Sequence, residues 1–152
     1  MLLTELLTPD RVRIPLLGAG KPELIEELVS VLVADGSIGE PAEVLRAVLD
    51  REEVLSTGIG NGVAIPHGKS EGVSSLVLAA GVTSRPVDFE ALDGDPVSLL
   101  FLLVGPGAAA GDHVKALSRI SRLLRRDRFR RRLIAAADAE TFYSVIAEAE
   151  EP

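Results

Sequence analysis

Two uninterrupted apolar runs constrain the fold of this chain more than any other feature of its sequence. They cover residues 75–83 (SLVLAAGVT) and 97–104 (VSLLFLLV). Continuous apolar runs are typical of strands that are covered on both faces, and the longest run is far shorter than the roughly 20 residues of a membrane helix. The link between the runs contains Asp93-Gly94, a turn signal that favours a hairpin. We therefore expect two buried strands joined by a turn.

Helical patterns enclose these strands in the sequence. Apolar residues recur at helical spacing in each pattern, and prolines or glycines mark several of the ends. The predicted helices cover about residues 22–34, 41–54, 112–126, 128–136 and 139–147, and two further short strands cover residues 11–16 and 63–65. Apolar strands between helices, in a chain of 152 residues, predict a single-domain α/β protein with a layered sandwich architecture.

Composition and charge exclude several classes of function. The chain has no cysteine, which excludes disulfides, cysteine-ligated zinc and a cysteine nucleophile. The net charge of −7 argues against general nucleic-acid binding, although eight of the thirteen arginines lie within residues 119–132 (RISRLLRRDRFRRR). The first residues, MLLTELLTPD, lack the basic start of a signal peptide. We expect a soluble cytoplasmic protein that is not inserted in a membrane.

One histidine lies in a glycine-rich stretch, residues 58–70 (GIGNGVAIPHGKS). His67 follows Pro66 at the end of a predicted strand, and ligands of α/β folds bind outside strand ends. The four glycines of this stretch could let an anion or a partner approach the backbone, or they could only shape turns. Both interpretations of the glycines are open at this point.

The second histidine, His113, is predicted near the start of a helix. It shares a helix face with Leu117, Ile120 and Leu124, so we expect its side chain to face the sheet and not open solvent. The positive end of the helix dipole disfavours a charged imidazole, which predicts a neutral His113. The alternative is a structural histidine that is packed and hydrogen-bonded and has no part in chemistry.

The kinds of chemistry that these two histidines could support limit the possible functions further. A catalytic zinc site usually takes three protein ligands, and no HExxH or comparable spacing is present. A Ser–His–Asp triad lacks its GxSxG elbow, and GIGNG has neither the spacing nor the place of a dinucleotide fingerprint. The remaining possibility is a neutral imidazole that attacks a phosphoryl group. Such a site requires a cation and hydrogen-bond donors. Candidate cations and hydroxyls are Arg51, Lys69, Ser56, Thr57 and Ser70.

Residues 51–70 (REEVLSTGIGNGVAIPHGKS) closely resemble the signature of the IIA domains of the phosphoenolpyruvate-dependent phosphotransferase system (PTS), fructose/mannitol type. This type 2 family includes the nitrogen-regulatory IIA proteins. The resemblance continues through PVDF, DGDPV and LLFLLVGP to His113 and the helix after it, and so covers nearly the whole chain. It implies one IIA domain over residues 1–152, with a mixed sheet of about five strands and helices on both sides.

The resemblance also implies a mechanism. His67 matches the histidine that accepts a phosphoryl group from the histidine-containing phosphocarrier protein (HPr). Arg51 and His113 match two further active-site residues, of which His113 donates a hydrogen bond and is not itself phosphorylated. The protein is thus expected to be a phosphotransferase component with a phosphohistidine intermediate and with no metal, nucleotide or other cofactor. Residues expected to support the phosphoryl group are Thr57, Gly60, Asn61 and Ser70.

The resemblance leaves two branches for the next step. In sugar transport, a IIA domain passes its phosphoryl group to a cysteine of a IIB domain. Because this chain has no cysteine, the IIB component for fructose-type uptake is expected to be a separate protein. In the regulatory branch, the phosphorylation state of His67 controls binding to regulatory protein partners. The motif around His67 serves both branches equally.

The arginine run has two open interpretations. At helical spacing, Arg119, Arg122 and Arg126 lie away from the predicted sheet-facing side, so the simplest interpretation is a solvated helix face. A docking surface for an acidic partner is the alternative. Nucleic acid is less favoured, because Phe129 alone supplies an aromatic ring in this run.

Overall fold

The computed structural model describes residues 1–152, and its central element is a mixed sheet of six strands. The strands are β1 (Val12–Leu16), β2 (Gly58–Gly60), β3 (Val63–Ala64), β4 (His67–Lys69), β5 (Val77–Val87) and β6 (Val97–Gly105). The helices are α1 (Lys21–Ala34), α2 (Pro41–Val54), α3 (Ala110–Leu123), α4 (Asp127–Ala135) and α5 (Ala139–Ala149). None of these five helices combines the length and the apolar character needed to cross a membrane.

Strand β6 is the central strand of the sheet. It pairs antiparallel with β5 on one edge and parallel with both β3 and β4 on the other. β1 extends the sheet as a parallel neighbour of β5, and β2 extends it as an antiparallel neighbour of β3. Pro66 lies between β3 and β4, and its carbonyl accepts a hydrogen bond from the backbone nitrogen of Leu103 at 3.0 Å. The two short strands therefore follow one another along the same edge of β6.

The side chains of β6 alternate between two hydrophobic cores. Leu99, Phe101 and Leu103 pack into a core with α3, α4 and α5, whereas Leu100 and Leu102 pack on the other face with α1 and α2. None of these five is more than 1% exposed. Burial of one such side chain contributes about 1.5–3 kcal/mol to stability. The continuous apolar run of β6 therefore supplies buried side chains to the helices on both faces of the sheet.

The expected layered α/β sandwich, with a mixed sheet between helices, is confirmed, and β5 and β6 form the expected hairpin. The sheet has six strands where the sequence predicts about five, because β2 and β4 are three residues long and carry no readable periodicity. The strand predicted over residues 63–65 ends before Pro66 as expected, since β3 stops at Ala64, but the chain does not leave the sheet there. Pairing resumes at once, and His67 is the first residue of β4, opposite Leu103.

A buried carboxylate joins the start of α1, the end of α2 and the residue before β2. Glu52 is 6% exposed, and its side chain accepts hydrogen bonds from the backbone nitrogen of Thr57 at 3.0 Å and from the Thr57 hydroxyl. It also accepts one from Nζ of Lys21 at 3.0 Å. Burial lowers the pKa of Lys21, but the hydrogen bonds and charges of Glu52 and Glu90 together outweigh it, so this pKa lies above its ordinary value of 10.5.

Replacing Glu52 tests how much this junction stabilises the fold. We expect Glu52→Ala to lower the free energy of unfolding by about 2–4 kcal/mol, because it leaves the amide and the hydroxyl of Thr57 without an acceptor and removes one of the two carboxylates that bind Lys21. The neighbouring Glu53 is exposed and has no hydrogen-bond partner of its own, so Glu53→Ala is the matched control. Urea denaturation of both variants measures the difference. Equal stability of the two variants would contradict the assignment.

Candidate functional site

The position of His67 depends on a close contact between β4 and α2. Gly68 faces α2, and a Cβ at this position would lie 3.1 Å from the backbone nitrogen of Val48. A larger residue would push the helix away from the sheet. Because side chains alternate along a strand, His67 and Lys69 point to the opposite face, where α3 packs.

The hydrogen bond of His67 determines which ring nitrogen carries the proton. Nδ1 lies 2.8 Å from the carbonyl oxygen of Ile65. A carbonyl can only accept a hydrogen bond, so Nδ1 carries the hydrogen and the lone pair of the neutral ring is on Nε2. Burial lowers the pKa of His67 below its ordinary value of 6.5; the bond to Ile65 opposes this shift, and the positive charge of Arg51 adds to it. The ring is therefore neutral at pH 7, with a free nucleophilic nitrogen.

His113 lies beside His67, in the first turns of α3. The two ring centroids are 5.6 Å apart, with an angle of 61° between the ring planes. His113 is only 3% exposed, so the expected burial on the sheet-facing side of α3 is confirmed. Its Nδ1 is buried and has no hydrogen-bond partner. Burial, followed by the charges of His67 and Lys69, lowers the pKa of His113 to about 4, so this ring is also neutral at pH 7.

Two cations border the histidine pair. Arg51 lies in the last turn of α2, and its Nη1 donates a hydrogen bond to the carbonyl of Leu55 at 2.9 Å. This bond holds the side chain in place and leaves the other guanidinium donors available. The charge of Arg51 contributes to the lowered pKa of His67, which places it within electrostatic reach of that ring. Lys69 is exposed and lies two residues beyond His67 on the same face of β4.

The hydroxyls of Thr57 and Ser70, expected to support an anion, are engaged elsewhere. Thr57 is 4% exposed and its hydroxyl donates to Glu52. Ser70 is 8% exposed, and its Oγ accepts a hydrogen bond from the backbone nitrogen of Gly72 at 3.0 Å and lies 3.5 Å from Glu43 Oε1. Both side chains therefore fix the loops at the two ends of the stretch that contains His67.

Gly60, the last residue of β2, and Asn61, in the turn that follows it, lie away from the histidines. Val63, just after this turn, pairs with Leu99, four residues before the partner of His67 on β6. At about 3.3 Å per residue, this register separates the turn from His67 by at least about 13 Å. The φ angles of Gly60 and Asn61 are 98° and 57°, which a tight turn requires. The structure does not bring these two residues to the histidine pair, and the glycines here shape a turn.

Glu52 is a residue of this region that the sequence analysis does not single out. It is one of the groups whose charge acts on the pKa of His67, and it raises that pKa. It also holds Thr57, one residue before β2. Helical spacing could have identified it, because Glu52 follows Val44 and Val48 at intervals of four and so falls on the buried face of α2.

The arrangement is suited to an anionic electrophile. A neutral imidazole presents a free nitrogen beside a second neutral imidazole, with Arg51 and Lys69 as neighbouring positive charges. Together these groups can attack a phosphoryl group and neutralise its charge. No group of three or more histidine, cysteine, aspartate or glutamate side chains is placed to hold a metal ion.

Known proteins with similar sequences cover almost all of this chain. It is 40% identical over 147 residues to a nitrogen regulatory protein of Bradyrhizobium diazoefficiens, covering 97% of this chain and 95% of that protein. It is 37% identical over 146 residues to the PTS system fructose-specific EIIABC component of Bacillus subtilis, covering 96% of this chain but only 23% of the length of that relative.

A solved structure agrees with the sequence relatives. The nitrogen regulatory protein IIA-Ntr of Neisseria meningitidis superposes with a TM-score of 0.86 at 34% identity, covering 93% of this chain and 97% of that one. Residues 5–149 match the family described as "Phosphoenolpyruvate-dependent sugar phosphotransferase system, EIIA 2". The chain therefore belongs to this EIIA type 2 family, whose members are phosphocarrier transferase proteins.

Proposed function

We propose that this protein is a phosphocarrier in which Nε2 of His67 accepts a phosphoryl group from HPr. The hydrogen bond between Nδ1 and the Ile65 carbonyl is the observation that carries the proposal, because it leaves the lone pair on Nε2. The bond between phosphorus and the donor's imidazole breaks as the bond between phosphorus and Nε2 forms. The phosphoryl group passes between protein side chains, so no cofactor is expected.

The charges around His67 support this role. A protonated imidazole has no lone pair for attack, and the lowered pKa keeps His67 neutral at pH 7 without a general base. Once the phosphoryl group is on Nε2, the free guanidinium donors of Arg51 can bind two of its oxygens in a fork. Lys69 adds a second positive charge. The acceptor is therefore neutral before transfer and flanked by cations after it.

His113 is the proposed hydrogen-bond donor to the phosphoryl group. Its ring lies edge-on to that of His67, and its Nδ1 has no protein partner. A buried polar atom without a partner is costly, and a hydrogen bond from the N–H of the His113 ring to a phosphoryl oxygen would stabilise the phosphorylated state. His113 is also more deeply buried than His67, so it is less accessible to a donor protein, which agrees with a supporting role.

The proposed next acceptor is the cysteine of a fructose-type IIB domain outside this chain. The name of the Bacillus subtilis relative joins EIIA to further B and C components for fructose, which supports this assignment. This chain has no cysteine, so the acceptor must come from another segment or protein. The protein would then supply phosphoryl groups for sugar uptake.

A second candidate is a regulatory protein whose contacts depend on whether His67 is phosphorylated. The names of the Bradyrhizobium diazoefficiens and Neisseria meningitidis relatives support it, since both are nitrogen regulatory proteins. The phosphoryl chemistry at His67 is the same for both candidates. They differ only in the fate of the phosphoryl group.

Label transfer from phosphoenolpyruvate tests the site. With enzyme I and HPr present, we expect the wild type to take up radiolabelled phosphate and His67→Ala to take up none. Arg51→Ala is expected to slow uptake about a hundredfold, because it removes the cation that stabilises the transferring group. Arg51→Lys should recover part of the rate. His113→Ala should be slower than the wild type but still active.

Arg46 provides the matched control for this experiment. It is an exposed arginine of α2 with no carboxylate partner, so Arg46→Ala should transfer at the wild-type rate. Label on His67→Ala would show that another residue is the acceptor. An Arg51→Ala rate equal to that of Arg46→Ala would remove Arg51 from the site.

A titration tests the neutral state of His113. The folded protein holds the pKa of His113 at about 4, while an unfolded histidine titrates near 6.5. Between these values the unfolded chain binds a proton that the folded chain does not, so stability must fall as pH falls. We expect a loss of about 3 kcal/mol from pH 7 to pH 4. His113→Gln should show a smaller loss, measured by urea denaturation. An NMR titration of His113 near 6.5 would contradict the assignment.

Incubation of the phosphorylated protein with a purified fructose-type IIB domain separates the two candidate functions. For the transport function, label is expected to move to the IIB cysteine within the mixing time. If label stays on His67, capture experiments with the wild type, His67→Ala and His67→Asp test the regulatory function. Partner proteins retained by only some of these forms would support it. Label transfer to IIB would exclude a purely regulatory role.

A further inference from the structure

The arginine-rich segment is not used by phosphoryl transfer. Lys115, Arg119 and Arg122 follow one another on α3 at intervals of four and three residues, so they lie on one face of the helix. The buried face of α3 carries Ala116 and Ile120 instead. The basic face begins two residues after His113, but it faces away from the core that contains that histidine.

This face forms one wall of a continuous surface groove. Three depressions adjoin along α3, α4 and the end of α5. The depression beside the first half of α3 shares Arg119 and Arg122 with the depression at the end of that helix. The latter shares Arg126 and Ala149 with the depression beside α4. We call this surface the basic groove, and its cationic residues are Lys115, Arg119, Arg122, Arg126, Arg128 and Arg132.

The charge of the groove is only partly neutralised by the protein itself. Residues 119–132 contain eight arginines and one aspartate, a formal charge of +7, so the remaining residues together carry −14. Two arginines of the groove have carboxylate partners at its wall: Arg119 pairs with Glu150 at 2.6 Å, and Arg132 pairs with Glu148 at 2.9 Å. Arg122, Arg126 and Arg128 make no ion pair.

We propose that the basic groove binds an extended acidic segment of a partner protein. The end of α5 already shows this recognition, because its glutamates bind two arginines of the same groove. The guanidinium groups of Arg122, Arg126 and Arg128 offer the same fork to carboxylates from outside. A groove on the order of 20 Å long would accommodate an extended peptide of about six residues.

Two features favour a peptide over other anions. The apolar residues of the floor, Leu123 and Phe129, are each only 7% exposed, so the arginine side chains along the walls supply most of the surface that a partner would contact. Phe129, the one aromatic residue of the lining, is 7% exposed and cannot stack on a nucleobase. A larger polyanion would also be repelled by the −14 charge of the remaining residues.

Binding of a defined peptide to the full chain tests this proposal. The probe is a fluorescein-labelled peptide of about six residues, with alternating glutamate and leucine and with blocked ends, to match the length of the groove. Fluorescence anisotropy at low salt should detect binding to the wild type, and the affinity should fall as salt is added. The Arg122→Glu/Arg126→Glu double variant should bind at least about tenfold more weakly.

A second double variant controls for net charge. Arg85 and Arg125 are exposed, have no carboxylate partner and lie outside the groove, so Arg85→Glu/Arg125→Glu makes the same change in charge. It should change the affinity less than about twofold. Circular dichroism melts check that both variants are folded, which is expected because none of the four arginines makes an ion pair.

Three results would overturn the proposal. The first is the absence of peptide binding to the wild type at low salt. The second is an equal loss of affinity in both double variants, which would show attraction by net charge alone. The third is tighter binding of a single-stranded oligonucleotide or of phosphatidylserine vesicles, lost in Arg122→Glu/Arg126→Glu, which would assign the groove to phosphates.

Discussion

The structure depends on the pairing of β6 with its neighbours. This strand binds β5 on one edge and β3 and β4 on the other, and its side chains fill both cores. Its register places His67 opposite Leu103, on the face of α3, and Gly68 opposite Val104, on the face of α2. A slip of one residue would exchange these faces and turn the imidazole into the helix that now packs on Gly68. The site is thus determined by the same pairing that closes the two cores.

The sequence predicts the parts of the fold that long patterns encode. Burial on both faces makes residues 77–82 of β5 and 99–104 of β6 continuously apolar, and the five helices repeat their apolar residues over several turns. β2 and β4 cannot be predicted in this way, because three residues show no period and two of the three in β2 are glycines. These strands exist because β3 and β6 offer them partners, and that information lies in distant parts of the chain.

The candidate site, like the fold, could be predicted from the sequence only in part. His67 and His113 can be selected from the sequence by residue type and setting, and the structure brings their rings together. The nearby polar residues cannot be assigned by proximity in sequence, because an extended chain carries Asn61 away from His67 and a buried carboxylate engages the hydroxyl of Thr57. Two glycines of this stretch have a backbone role in the structure: Gly60 permits a turn, and Gly68 allows α2 to pack closely on β4.

Helix α3 connects the two functional regions that are proposed for this protein. Its first turns place His113 inward against His67, while the following turns carry Lys115, Arg119 and Arg122 on the outer face. The positive end of the helix dipole lies at the histidine pair, where it disfavours an imidazolium and would favour a phosphoryl group. The basic residues farther along face solvent, so their charges are screened by salt before they reach the buried rings. The helix can therefore place a neutral His113 beside the nucleophile His67 at one end and carry a strongly positive surface along its length.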